Sequence, residues 1–201
     1  MNPDLTVVLA SASPTRRHLL EAAGVALTVA PARVDEDEIK LSMIAEGADG
    51  AAIAEALAEL KARTVSHTHP GRLVIGADQV LEHDGEIFSK PADRAAARAQ
   101  LVALRGGGHA LIDCVCVLRD GQRLWHRTES ARLQMRDFSD GFLDAYLDEI
   151  GDRALEGPGA YRLEGRGAQL FARIDGDYFT ILGLPLLALL DYLRVQGVIA
   201  K

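Results

Sequence analysis

Ser11, Ser13, Arg16, Glu36, Lys61, Asp78 and Lys90 are polar side chains at positions that read as loops or helix ends, and they could share one piece of chemistry. Hydroxyls and cations suit phosphate oxygens, whereas carboxylates suit a hard divalent cation or an attacking water. Hydrolysis of a phosphoanhydride needs both kinds of group, because charge moves onto the leaving phosphate as the bond breaks. Other chemistries find no support. There is no HExxH, no zinc-type cysteine set and no nucleophile elbow. Gly106-Gly107-Gly108 lacks the context of a phosphate loop and reads as a helix stop with a flexible loop. The residues alone leave an enzyme and a nucleotide-binding module equally open.

The stretch Leu73 to Pro91, LVIGADQVLEHDGEIFSKP, delivers two of these groups. Leu73-Val74-Ile75 predicts a buried strand, Gly76-Ala77-Asp78 a small-residue step at its end, and Lys90-Pro91 a cation one short loop away. Upstream, Thr6 to Ala10 predicts a first strand. Ser13 suits an N-cap, Pro14 the first helical position, and Gly24 a stop after the stripe Leu19, Leu20, Ala23. A strand, a Ser-rich turn and a helix aim N–H groups and hydroxyls at an anion. Arg16 and Arg17 in the first turn oppose the helix dipole, which a phosphate facing an arginine would explain.

Val25 to Ala30 predicts a second strand, and Pro31 to Glu38 an acidic, solvated loop from which one carboxylate could reach a metal. Ala48 to Val65 predicts an amphipathic helix on Ile53, Leu57 and Leu60. Lys61 lies near its C-terminal end, where the dipole favours a cation anyway. His67 and His69 fall on a polar loop beside Pro70-Gly71. Asp93 to Leu104 predicts a helix with Ala96, Leu101 and Leu104 inward. His109 to Leu118 and Arg123 to Met135 predict a hairpin turning at Asp120-Gly121, with Trp125 half-buried on a sheet face. Ser139 caps a helix through Ile150. Glu156 to Gly167 is a glycine-rich loop that lets backbone approach a ligand. Gln169 to Ile174 predicts a strand, and Gly183-Leu184-Pro185 leads into a last helix through Leu193. The pattern is α/β with a mixed central sheet and flanking helices.

A chain of 201 residues, 48% hydrophobic and 25% charged, suits one domain spanning 1–201 with a real core. The net charge of −7 and the lack of a lysine or arginine run argue against duplex nucleic acid as a partner. Cys114 and Cys116, two apart on a strand, read as reduced core thiols. No signal peptide and no run of about 20 apolar residues is present, so the expectation is a cytoplasmic protein without a membrane partner.

At these residues the chain resembles the Maf family of nucleoside triphosphate pyrophosphatases, also known as septum-formation inhibitors. The resemblance rests on Leu9 to Pro14 with Arg16, Val34-Asp35-Glu36, Lys61, Gly76-Ala77-Asp78 with Lys90-Pro91, Gly159-Ala160-Tyr161 with Gly165, and Gly183 to Leu186, in the family's order. It implies two lobes around an elongated cleft. It also implies hydrolysis of a nucleoside triphosphate to monophosphate and pyrophosphate with Mg²⁺ or Mn²⁺, and leaves room for a homodimer. Asp78 would be the proton acceptor and, with Glu36, hold the metal; Ser11, Ser13, Arg16, Lys61 and Lys90 would hold phosphates. Thr15, Gln79 and Glu164 depart from the dTTP/UTP branch where that branch reads its base. Gln79 and Glu164 look instead like the branch similar to 7-methyl-GTP pyrophosphatases, although Gly76-Ala77-Asp78 and Gly157-Pro158-Gly159 depart from that branch. Glu164 could accept from N1–H and N2–H₂ of a guanine. A division regulator that binds nucleotide with little hydrolysis, and a plain phosphatase, are the alternatives.

Overall fold

Residues 6–201 are described by a computed structural model of the chain. Its frame is a seven-stranded sheet in the order β2-β1-β3-β5-β6-β7, with β4 alongside β3. β1 (Val7–Leu9) runs parallel to β2 (Leu27–Val29) and β3 (Val74–His83). The antiparallel strands are β4 (Glu86–Phe88), β5 (Gly108–Arg119), β6 (Gln122–Met135) and β7 (Phe171–Asp175). The β5–β6 hairpin turns where expected, with φ of 51° at Asp120 and 76° at Gly121, the paired positive φ of a tight hairpin. Asp84-Gly85 repeats the device between β3 and β4, with φ of 50° and 82°.

The strand expected to stop at Ile75 does not stop there. β5 pairs with β3 from Val74 to Glu82, which carries the strand on through Asp78. On its other edge, the pairing with β1 stops at Ile75 and the pairing with β4 starts at Leu81. Gly76 to Val80 therefore has a strand neighbour on one side only. That notch opens the sheet beside Asp78 and Gln79.

α1 (Pro14–Ala22) is capped by Ser13, whose hydroxyl accepts from the Arg16 N–H. The acidic stretch is no loop. Asp35 caps α2 (Glu36–Ala45), and Glu36, Asp37 and Glu38 fill its first turn, where the helix dipole favours negative charge. α3 (Gly50–Ser66) buries Ile53, Leu57 and Lys61, while Leu60 is only half-buried. It lies very close to β3: a Cβ added at Gly76 would stand 2.1 Å from the Ala58 carbonyl oxygen. α4 (Arg94–Leu104), capped by Asp93, buries Ala97, Leu101 and Leu104, with Ala96 only half-buried. α5 (Asp140–Ile150) is capped by Ser139. A 3₁₀ turn over Arg166–Leu170 replaces the first part of the strand expected from Gln169, so β7 starts at Phe171. α6 (Tyr178–Ile181) is a single turn, and α7 (Leu186–Val195) closes the described chain.

Apolar side chains gather in three clusters. Leu20, Ile75, Val117 and Leu189 lie between the sheet and α1 and α7. Ile53, Leu57, Val74 and Leu118 lie on the opposite face under α3. Leu81, Leu104, Phe138 and Tyr146 fill the far end with α4 and α5. The first two clusters make one lobe and the third makes the other, joined by the long strands β3, β5 and β6. Trp125 is half-buried and stacks on Tyr192 at 5.0 Å. Cys114 and Cys116 are buried free thiols, Sγ to Sγ 3.8 Å. No helix among the described residues is long and apolar enough to cross a membrane.

Candidate active site

The ten candidate catalytic, phosphate-binding, metal and base-reading residues all line one cleft of about 370 Å³: Ser11, Ser13, Thr15, Arg16, Glu36, Lys61, Asp78, Gln79, Lys90 and Glu164. The notch in β3 explains how so many elements converge. β1 ends there and feeds the Ser-rich turn into it. The β3–β4 hairpin returns the chain so that Lys90 comes back to the rim. The loop after α5 supplies the far wall.

Lys61 is at the centre. Its Nζ lies 2.6 Å from Asp78 Oδ1 and 2.8 Å from Glu36 Oε1. The side chains of Lys61 and Asp78 are 8% and 5% exposed, so the ammonium is a buried charge held by two carboxylates. The helix dipole does not account for it. Asp78 Oδ2 is buried with no hydrogen-bond partner among the described residues. For Glu36, burial acts to raise the pKa, but the charge and hydrogen bond of Lys61, with Lys90 and Lys40 behind it, outweigh burial and hold the carboxyl below its usual range. Lys90 is shifted down, first by partial loss of solvent and then by the Lys61 and Arg16 charges, with Glu36 and Asp78 opposing.

Arg16 is buried beside the turn. It donates from Nε to the Gly183 carbonyl at 2.7 Å, and from Nη1 to the Ala77 carbonyl at 2.9 Å and Ser11 Oγ at 3.4 Å. The Ala77 bond satisfies a carbonyl that the missing strand neighbour would otherwise leave open. Nη2 makes no such bond among the described residues. Ser11 Oγ also accepts from the Ser13 N–H at 3.2 Å, while the Ser13 hydroxyl caps α1. Arg17, by contrast, is exposed and pairs with Glu21.

Alternation along β3 puts Asp78 and Gln79 on opposite faces of the sheet. Asp78 meets Lys61 of α3. Gln79 meets α6, donating from Nε2 to the Thr180 and Ile181 carbonyls at 3.3 and 3.2 Å, and to Asp113 Oδ2 at 3.1 Å. Thr15 and Glu164 stand across the cleft, linked by Arg162. That guanidinium pairs with Glu164, reaches Thr15 Oγ1 at 3.5 Å and bonds Glu156 at 2.6 Å.

Several contributors escaped the sequence reading. Lys40 is 7% exposed, makes no ion pair among the described residues and lines both the cleft and the adjoining groove. Once α2 is known, its place four residues after Glu36 puts it on the same helix face. Asp113 is fully buried, and burial pushes its carboxyl well above the usual range, with Arg16 and Gln79 opposing. An acid inside the apolar run LIDCVCVL was the available signal. Arg162 and Tyr161 are further cleft residues. Tyr161 hydrogen-bonds His109 at 2.7 Å, and His109 is lowered to about 4 by burial and by nearby His83. The glycines read as making room for a ligand serve the loop's own fold in part. A Cβ at Gly159 would stand 2.6 Å from Tyr161 and 2.7 Å from Leu81, and one at Gly167 would stand 2.1 Å from the Arg162 carbonyl.

No group of three or more His, Cys, Asp or Glu suited to a metal occurs among the described residues. Two carboxylates with one orphaned oxygen still fit a hard cation of the Mg²⁺ type. Such an ion takes one or two carboxylates and completes its shell with water and substrate phosphates.

Over residues 6–196 the chain matches the family described as Maf-like protein. A nucleoside triphosphate pyrophosphatase of Paramagnetospirillum magneticum is 57% identical over 190 residues, 94% of this chain and 98% of that one. A nucleoside triphosphate pyrophosphatase of Rhodospirillum rubrum is 51% identical over 96% of both chains. The 7-methyl-GTP pyrophosphatase of Brucella abortus is 48% identical over 94% of both. Among solved structures, the dITP/XTP pyrophosphatase of Mycobacterium abscessus aligns over 96% of each chain at 15% identity and a TM-score of 0.41, a likeness too low to carry weight. With a family match over nearly its whole length and relatives at about half identity end to end, the chain belongs to the Maf family.

Proposed function

We propose that this protein is a nucleoside triphosphate pyrophosphatase that cleaves between the α and β phosphates, and that Asp78 takes the proton of the attacking water. One observation carries the reading: Asp78 and Glu36 converge on Lys61 in a cleft ringed by further cations, with one Asp78 oxygen free. Lys61 holds Asp78 in place through Oδ1, which leaves Oδ2 free to accept a proton. Lys40, Lys90 and Arg16 Nη2, with the hydroxyls of Ser11 and Ser13, hold the triphosphate oxygens and offset the charge that builds on the leaving pyrophosphate. Glu36 and Asp78 would hold a divalent cation, Mg²⁺ or Mn²⁺, which when bound neutralises phosphate charge as the bond breaks. The continuous sheet supports treating residues 1–201 as one domain.

Thr15, Gln79 and Glu164 read the base, with Arg162 bracing Glu164. Two acceptors, Gln79 Oε1 and the Glu164 carboxylate, favour a base edge rich in N–H donors, as a guanine or modified guanine has. The name of the Brucella abortus relative agrees with that preference. The test is turnover of guanosine, 7-methylguanosine, adenosine, uridine and thymidine triphosphates with Mg²⁺ or Mn²⁺, reading pyrophosphate and phosphate separately. Pyrophosphate released fastest from a guanine-type nucleotide is expected. A preference for dTTP and UTP would overturn the base assignment. Free phosphate as the product would make the protein a phosphatase, and no turnover at all would leave a nucleotide-binding regulator.

A further inference from the structure

Among the described residues, Asp113 is a fully buried acid that stands behind the cleft-lining Gln79 and to which the proposed chemistry gives no task. It lies directly across the ladder from Gln79 and shares its face of the sheet. Gln79 Nε2 is surrounded by acceptors only: Asp113 Oδ2 and the carbonyls of Thr180 and Ile181. An amide can face that set only with its NH₂ group, since its oxygen cannot donate. The carbonyl end, Oε1, is the part left over, and Gln79 lines the cleft. Arg16 runs close to Asp113 but has acceptors of its own in Gly183, Ala77 and Ser11. Among the described residues no other side chain hydrogen-bonds Gln79.

Taking the cleft as the nucleotide site proposed above, we infer that Asp113 is a positioning residue for base recognition: it anchors the Gln79 amide with Oε1 toward the ligand, so the base meets an acceptor at that point. Asp113 touches no substrate and acts through Gln79. Burial of an acid costs stability unless it is partnered. Here the partner is the residue that faces the base, and the carboxylate's second oxygen, Oδ1, makes no hydrogen bond among the described residues. The nearby Arg16 charge also favours an acid here, but the one hydrogen bond that the Asp113 side chain makes among the described residues is to Gln79.

The test compares kcat/KM for the nucleotide panel in wild type, Asp113→Ala, Asp113→Asn, Gln79→Ala and the Asp113→Ala/Gln79→Ala double variant. Asp113→Ala should shrink the ratio between the best and worst base by about three- to tenfold, the worth of one hydrogen bond. Gln79→Ala should do the same, and the double variant should be no worse than either single one, because both remove one unit. Asp113→Asn keeps an acceptor toward Gln79 and should retain the ratio within about twofold. Inhibition by inorganic tripolyphosphate, which has no base, should also stay within about twofold in every variant.

An unchanged ratio in Asp113→Ala, an equal loss on every nucleotide, or additive losses in the double variant would overturn the inference. Should Asp113→Ala fail to fold, Asp113→Leu keeps the volume without the acceptor and is read the same way. A wild type that releases no pyrophosphate from any nucleotide would overturn the functional proposal first and this inference with it. A wild type that works, with variants that keep its ratio, would overturn this inference alone.

Discussion

At the scale of single residues, the unusual feature is a lysine buried between two carboxylates. A buried ammonium is costly unless it is paired, and here Asp78 and Glu36 pair with it at 2.6 and 2.8 Å. Lys61 in turn leaves Asp78 one committed oxygen and one free. Asp78→Asn preserves the shape but removes the proton acceptor. Pyrophosphate release should fall by about 10²- to 10⁴-fold while nucleotide binding, measured by calorimetry, survives. Undiminished turnover would take the base role from Asp78. Lys90 carries a pH prediction. Its ammonium binds phosphate only when protonated, and its pKa in the folded protein is below the usual lysine value. Phosphate affinity is complete below that lowered pKa and is lost as pH rises through it. KM should therefore climb on the alkaline side before an ordinary lysine would titrate. In Lys90→Arg, whose guanidinium stays charged, that climb should vanish. An identical alkaline limb in the variant would assign it to another group.

At the scale of elements, the site depends on how near α3 can come to β3. Lys61 reaches Asp78 because the helix backbone rests on Gly76, one alternation before the acid and on the same face. A methyl group there would stand 2.1 Å from the Ala58 carbonyl and 2.8 Å from Ala62. Gly76→Ala must push the helix away, and overpacking of this kind costs about 1–3 kcal/mol or more. The midpoint of urea unfolding should drop accordingly. Activity per folded molecule should drop as well, since the Lys61–Asp78 contact lengthens. A variant of wild-type stability would mean that the helix yields without cost.

At the scale of the molecule, the cleft is walled by both lobes. Ser11, Glu36, Lys61 and Asp78 belong to one lobe; Tyr161 and Glu164 come from the loop that packs on the other. A nucleotide lying across it would contact both, and binding to the folded state alone stabilises the whole chain. At a free nucleotide concentration about 100 times Kd the gain is about 2.7 kcal/mol, or roughly 5–10 °C in Tm for a chain of this size. In a thermal melt without added divalent cation, Asp78→Asn should show the same upward shift, because the cations and hydroxyls that seat the phosphates remain. A shift in the wild type that is absent in the variant would move Asp78 from catalysis to binding.

The sequence by itself determined the parts whose physics is local. Ser13 and Pro14 start α1 because a hydroxyl can accept from a free N–H and proline needs no donor there. Asp120-Gly121 makes the hairpin because both residues tolerate positive φ. The apolar runs name the strands and so the mixed sheet. The cleft residues were legible because phosphate and metal chemistry admits few side-chain types. What only the tertiary structure decided is which strand edges are left open and which faces meet. β3 looked as if it ended at Ile75, yet its length is set by pairing with β5, whose residues lie 28 to 44 positions further along the chain. The acids at 35–38 looked like a loop because a helix start and a solvated run have the same composition; the packing of α2 on α3 places Glu36 and Lys40 at the site. Lys61 looked like a dipole partner because its distant carboxylates are invisible in the sequence around it. Asp113 and Gln79, thirty-four residues apart, meet only across the ladder, and no local pattern announces such a pair.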